Sequence, residues 1–233
     1  MLRSTKELFG YAVRAIDGEF GKVHDVYFDD QAWIVRYLVI QTGDWLMRRN
    51  VLLTTDLIGS PAPAERVLPV MLNMREIERS PGVNSDKPVS LQMRRDPYEY
   101  YMWTPYWNVP GAGPGALIIS PLLVEAEEKE RMAEEQNYDP HLRSTREVIS
   151  YHIQAADGEI GHVEDFLVDD ATWAIPQIVI GTRNWLPGKK VLIAPQQIKE
   201  ISWAKRKVHV DLSREAIKNG PGFDRQVHEP VRH

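Results

Sequence analysis

Cysteine is absent from this chain of 233 residues. Disulfides, thiolate nucleophiles and cysteine-ligated metals are thereby excluded, and a reducing compartment is compatible with the composition. Charge of one sign is lacking as well: 28 Lys and Arg stand against 33 Asp and Glu, a formal net charge of -5. A polyanion or an anionic membrane surface is therefore not the obvious partner. No stretch approaches the roughly 18 uninterrupted apolar residues of a membrane span. The opening MLRSTKELFGYAV has no apolar core of a secretory signal, so a cytoplasmic location is expected. No H-E-x-x-H, G-x-S-x-G, Walker A or G-x-G-x-x-G motif occurs. GTRNWLPGKK (181 to 190) has the wrong spacing for a phosphate loop, and its Pro187-Gly188 reads as a turn. No catalytic set, metal site or cofactor site is expected.

What the chain does contain is a repeat. Shifted by 140 residues, LRSTKELFGYAVRAIDGEFGKVHDVYFDDQAW (2 to 33) lies over LRSTREVISYHIQAADGEIGHVEDFLVDDATW (142 to 173). The match runs on without a gap to RSPG over NGPG, with 31 of 81 paired positions identical. Two copies of one fold follow, at 1–83 and 142–233 with its tail, separated by a connector at 84–141.

Each copy reads as mostly strand. Ser4 with Glu7, and Ser144 with Glu147, fit a capping box for a short helical turn. Asp17-Gly18 and Asp157-Gly158 then stand between β-like runs, a hairpin signal because both residue types tolerate positive φ. RYLVIQT or PQIVIGT gives a third strand and NVLLT or KVLIA a fourth. The last alternates, with Val208, Val210 and Leu212 inward. Asn73 and Ser213 fit N-caps of a closing helical turn. Five or six short strands in so few residues must close or nearly close to hide their edges. The expected fold class is mainly β: two small β-barrels with short helical turns.

The ordered set L-x-S, G-Y-x-V/I, D-G-E-x-G-x-V-x-D, the Asp-Asp pair, L-V-I, W-L and V-L-x-x-x-x-x-I resembles the PRC-barrel family, and it recurs in the second copy with Ser150 in place of the glycine and Ile178 in place of the leucine. That family includes the cytoplasmic part of the photosynthetic reaction-centre H subunit and the ribosome-maturation factor RimM. DKPVSLQ (86 to 92) also resembles what trails the barrel in bacterial tandem PRC-barrel proteins. The resemblance implies a small barrel that binds partner proteins and carries no common catalytic activity. By the same resemblance an RNA- or ribosome-associated role is the alternative. It would use a basic face of Arg48, Arg49, Lys189, Lys190, Lys205, Arg206 and Lys207. A peripheral partner of a membrane complex is a second alternative, although the H subunit's anchoring helix has no counterpart here.

The acids Asp17, Glu19, Asp25, Asp29 and Asp30 recur as Asp157, Glu159, Asp165, Asp169 and Asp170. Clustered oxygens suit hard cations, but D-G-E-x-G places glycine second, where an EF-hand loop needs it sixth. Local duties are expected instead. Asp17 and Asp157 form turns, and Glu19 and Glu159 sit at hairpin tips in solvent. The Asp-Asp pairs end a strand with side-chain turns. Asp25 and Asp165 share the inward face of Val23 and Val163, so each must find donors there. The copies carry formal charges of about -1 and +1, unlike strongly basic nucleic-acid modules.

The connector holds most of the excess negative charge. DPYEYYMWTPYW (96 to 107) carries six aromatics, NVPGAGPGALIISP (108 to 121) is a Gly/Pro linker, and LLVEAEEKERMAEEQ (122 to 136) has acidic helical composition. Rings are rarely left in water. Tyr98, Tyr100, Tyr101, Trp103, Tyr106 and Trp107 are therefore expected to pack on a barrel near Trp45 or Trp185, in the same chain or across a homodimer. Binding and assembly with a protein partner is the expected task.

Overall fold

β-branched and aromatic residues alternate with polar ones through both copies, and the strands follow that pattern. The computed structural model describes residues 1–43, 48–79, 82–83, 141–182 and 189–224. The first copy contains β1 (Leu2–Ser4), α1 (Thr5–Leu8), β2 (Ala12–Ala15), β3 (Gly18–Asp29), β4 (Ile34–Thr42), β5 (Asn50–Thr54), β6 (Val67–Pro69), α2 (Met74–Arg79) and β7 (Gly82–Val83). The second contains β8 (Leu142–Ser144), α3 (Thr145–Val148), β9 (His152–Ala155), β10 (Gly158–Asp169), β11 (Gln177–Gly181), β12 (Lys190–Ile193), β13 (Ile198–Ser202), β14 (Lys207–Val210) and α4 (Arg214–Lys218).

The molecule is mainly β, with two sheets and a few short helices. One sheet runs β7-β5-β4-β3-β2-β6 and the other β12-β11-β10-β9-β14-β13. Isolated bridges complete the likeness: Ile58↔Val70 matches the β13/β14 pair Ile198↔Val210, and Val191↔Gly222 matches the β5/β7 pair Val51↔Gly82. Full hydrogen-bonded closure is not found among the described residues. The two flanks of each sheet are joined by the chain itself instead. β5 passes through a 3-10 turn (Thr55–Leu57) to Ile58, and β12 through another (Pro195–Gln197) to β13.

Two local expectations need correcting. The hairpin loop is one residue earlier than Asp-Gly suggests: Ala15 pairs with Gly18 and Ala155 with Gly158, so Ile16-Asp17 and Ala156-Asp157 form the turn. The capping box at α1 is only half made. Ser4 Oγ accepts from Glu7 N at 3.1 Å, but the Glu7 carboxylate accepts from Tyr11 Oη at 2.8 Å rather than reaching back. The same holds for Ser144, Glu147 and Tyr151. The full reciprocal box lies at α2, where Glu76 N donates to Asn73 Oδ1 and Asn73 N to Glu76 Oε2. Close backbone approach fixes two glycines. A Cβ on Gly21 would stand 2.4 Å from the Gln41 carbonyl oxygen, and one on Gly161 would stand 2.1 Å from that of Gly181.

The first strand of each copy does not join its own sheet. β1 pairs antiparallel with β10 (Leu2↔Asp169, Arg3↔Val168, Ser4↔Leu167), and β8 pairs with β3 (Tyr27↔Ser144, Phe28↔Arg143, Asp29↔Leu142). The copies thus exchange their opening segments. Around this joint Val35 N donates to Trp173 O and Ile175 N to Trp33 O. Phe28 of one copy meets Phe166 of the other with ring centroids 5.1 Å apart. One continuous apolar core therefore contains residues of both copies.

Candidate interaction site

An aspartate on an inward face needs donors, and the exchanged segment brings them. Asp165 accepts from Ser4 Oγ, from Thr5 Oγ1 at 2.8 Å and from Lys6 N at 3.3 Å, all in the other copy. It also accepts from its neighbour Phe166 N at 2.8 Å. Asp25 repeats the arrangement with Ser144 Oγ, Thr145 Oγ1 at 3.3 Å, Arg146 N at 3.1 Å and Val26 N at 2.7 Å. Both aspartates are 6% exposed. Burial pushes both carboxyls above the usual aspartate range, and the hydrogen bonds from these hydroxyls and N–H groups pull against that shift.

The other acids divide the work. Asp17 Oδ1 accepts from Met74 N at 2.8 Å and Asp157 Oδ1 from Arg214 N at 2.7 Å, so each turn aspartate also holds the start of a closing helix. Asp29 accepts from Gln31 N and Ala32 N, and Asp169 from Ala171 N and Thr172 N, as side-chain turns do. The second acid of each pair grips the exchanged strand: Arg143 Nε lies 2.8 Å from Asp30, and Arg3 Nε lies 2.8 Å from Asp170. Sequence reasoning missed these cross-copy pairs. The signal was the shared Leu-Arg-Ser-Thr, which supplies a guanidinium and two hydroxyls to two acids of the other copy. Among the described residues no group of three or more His, Asp or Glu is arranged to hold a metal ion.

The outer surface differs between the copies. On the second copy Glu164 gathers Lys190 at 3.1 Å, His162 at 3.2 Å and, from the first copy, Lys6 at 3.4 Å. Burial opposes the charge of Glu164, but Lys190 and Lys6 outweigh it and hold the carboxyl at about 2. Glu159 is exposed at the hairpin, as expected, and also pairs with Lys207 at 3.1 Å and His152 at 3.0 Å. The basic residues named from sequence are not gathered on one strand. Lys189 and Lys190 lie at β12, whereas Lys205, Arg206 and Lys207 lead into β14, with β11, β10 and β9 between them in the sheet. Lys189 Nζ donates to Lys218 O, and Arg206 lies over the Tyr151 ring at 5.6 Å. Arg48 and Arg49 precede β5 in the first copy. Trp203, beside Lys205, is half exposed. Trp45, Trp185, and Tyr98, Tyr100, Tyr101, Trp103, Tyr106 and Trp107 lie outside the described residues.

No helix among the described residues is long and apolar enough to cross a membrane. Residues 3–66 match the PRC-barrel domain family, a stretch that runs through most of the first copy. At family level that match indicates a binding or assembly module. No curated protein matches the chain.

Proposed function

We propose that this chain is a non-catalytic binding and assembly module that engages a protein partner through its two joined barrels. The observation that carries this reading is how the conspicuous acids are used. Asp25 and Asp165 each meet four hydrogen-bond donors, three of them in the opposite copy, and Asp30 and Asp170 hold its arginines. Acids so committed serve cohesion, and the task is left to the surface. The family match at 3–66 supports the same reading. Affinity capture from the native host with the full chain as bait, repeated with nuclease and at raised salt, tests it. A stoichiometric protein partner that survives both treatments is expected.

A second reading has one observation behind it. Half-exposed Trp203 stands beside exposed Lys205 and Arg206, a ring with cations that could take a single-stranded base and its phosphate. Tight, steeply salt-dependent binding of RNA by the full chain, lost with Trp203→Ala, would replace the assembly reading.

A further inference from the structure

The repeat supplies an internal control, because the same backbone place carries different side chains in the two copies. On the second copy the place holds an acid: Glu164 sits among Lys6, His162 and Lys190. Shifting each residue by 140 positions gives its counterpart on the first copy. Arg146 replaces Lys6, Lys22 replaces His162, and Asn50 replaces Lys190. Glu164 itself becomes His24. The first-copy place therefore keeps two cations and loses its anion.

The backbone places correspond, and Arg146 lies near enough to His24 to act on its charge. Lys22 and His24 lie two apart on β3, and Lys22 pairs with Gln41 of β4. Arg146 reaches the place on the exchanged segment, with its backbone N–H on Asp25 and its guanidinium 4.7 Å from the centre of the Phe9 ring. Among the described residues no carboxylate forms an ion pair with Arg146 or Lys22. Burial, and then the charge of Arg146, hold the His24 imidazole below its usual range, so the imidazole itself adds little charge beside Lys22 and Arg146. A surface cavity of about 440 Å³ opens alongside, lined among others by Glu19, Phe20, Lys22, Gln41, Thr42 and Arg48.

We infer that the Lys22, His24 and Arg146 cluster is a docking point for a carboxylate side chain of an acidic segment on a partner protein, which takes the position that Glu164 fills internally on the second copy. This inference rests on the assembly reading above and names the chemistry of the partner. The second copy shows that the place accepts a carboxylate held by His162 of β10, by Lys190 at the start of β12 and by Lys6 of the exchanged segment. The cavity beside Lys22 gives the rest of the acidic segment somewhere to lie. Glu19 also lines the cavity, so the acidic segment must place its carboxylate on the Lys22 side, away from Glu19.

The test uses the full chain and fluorescein-labelled hexaglutamate, read by anisotropy at low salt. Saturable binding is expected, weakened about threefold by Lys22→Ala or Arg146→Gln, both exposed positions. His24→Glu restores the internal acid of the second copy and should weaken binding at least about tenfold by placing like charge in the site. The reverse exchange, Glu164→His, should create a second peptide site on the second copy. Absence of binding, or binding that His24→Glu leaves unchanged, overturns the inference. So does hexauridylate binding more tightly than hexaglutamate with the same loss in His24→Glu, because the ligand would then be a phosphate backbone. A natural partner retained undiminished by His24→Glu removes this site while leaving the assembly reading intact.

Discussion

At the scale of single residues, Asp25 and Asp165 are the most constrained acids of the fold. Their inward direction was legible from alternation with Val23 and Val163, and so was their need for donors. Their partners were not, because periodicity names a face without naming what lies across it. Asp165→Ala is expected to cost about 1–3 kcal/mol by stranding donors in a buried place. Asp25→Ala should cost a similar amount, both measured by chemical denaturation. Glu164 sets a pH dependence of opposite origin. Its carboxyl is held at about 2, against 4.5 when unperturbed, so the folded state favours the ionised form. The stabilisation is complete above about pH 4.5 and lost as pH falls through that window toward 2. The stability difference between the native chain and Glu164→Gln should therefore be constant at neutral pH and shrink below about 4.5. A difference that grows on acidification would contradict the ion pairs with Lys6 and Lys190.

At the scale of elements, the exchanged strands tie two distant stretches of chain together. The strands themselves were largely legible: β4, β5, β11 and β12 fall where their apolar runs do, and Val208 and Val210 are buried as the alternation requires. The exchange was not. Both copies open with the same Leu-Arg-Ser-Thr, so the sequence fits either flank equally well. A double-mutant cycle separates the possibilities. Ser4→Ala combined with Asp165→Ala should cost less than the sum of the single changes, by about 1 kcal/mol, because one hydrogen bond is counted twice. Ser4→Ala combined with Asp25→Ala should be additive. The converse result would place each segment on its own sheet. The glycines at the crossing of β3 with β4 and β10 with β11 give a further test. Gly21→Ala should cost about 1–3 kcal/mol, because the obstructing atom is a backbone carbonyl that cannot turn aside.

At the scale of the whole molecule, the repeat suggested two beads on a connector, yet the described residues form one interlocked body. Phe28 and Phe166 share a core, and each sheet includes a strand of the other copy. Sequence periodicity cannot reveal this, since a residue facing inward looks the same whether the core is private or shared. One cooperative thermal transition is expected, with the calorimetric and van't Hoff enthalpies equal. Leu68→Ala, buried in the first copy, should lower the melting of the second copy by the same amount. Two separable transitions would show that the copies fold independently.

The crossed strands also impose an order in time on synthesis. The ribosome delivers the Asp25 seat long before the segment that fills it, since Thr145 lies 120 residues downstream. At roughly 5–20 residues per second, the nascent first copy waits about 6–24 s with a buried acid and the flank of β3 uncovered. The Leu2–Ser4 strand waits longer still for β10, whose Asp165 lies 161 residues after Ser4. During that interval an incomplete sheet edge and its matching strand are both free, and neighbouring chains on one message carry the same pair. Spacing between ribosomes, or a chaperone that covers the β3 flank, then becomes part of how this molecule is made.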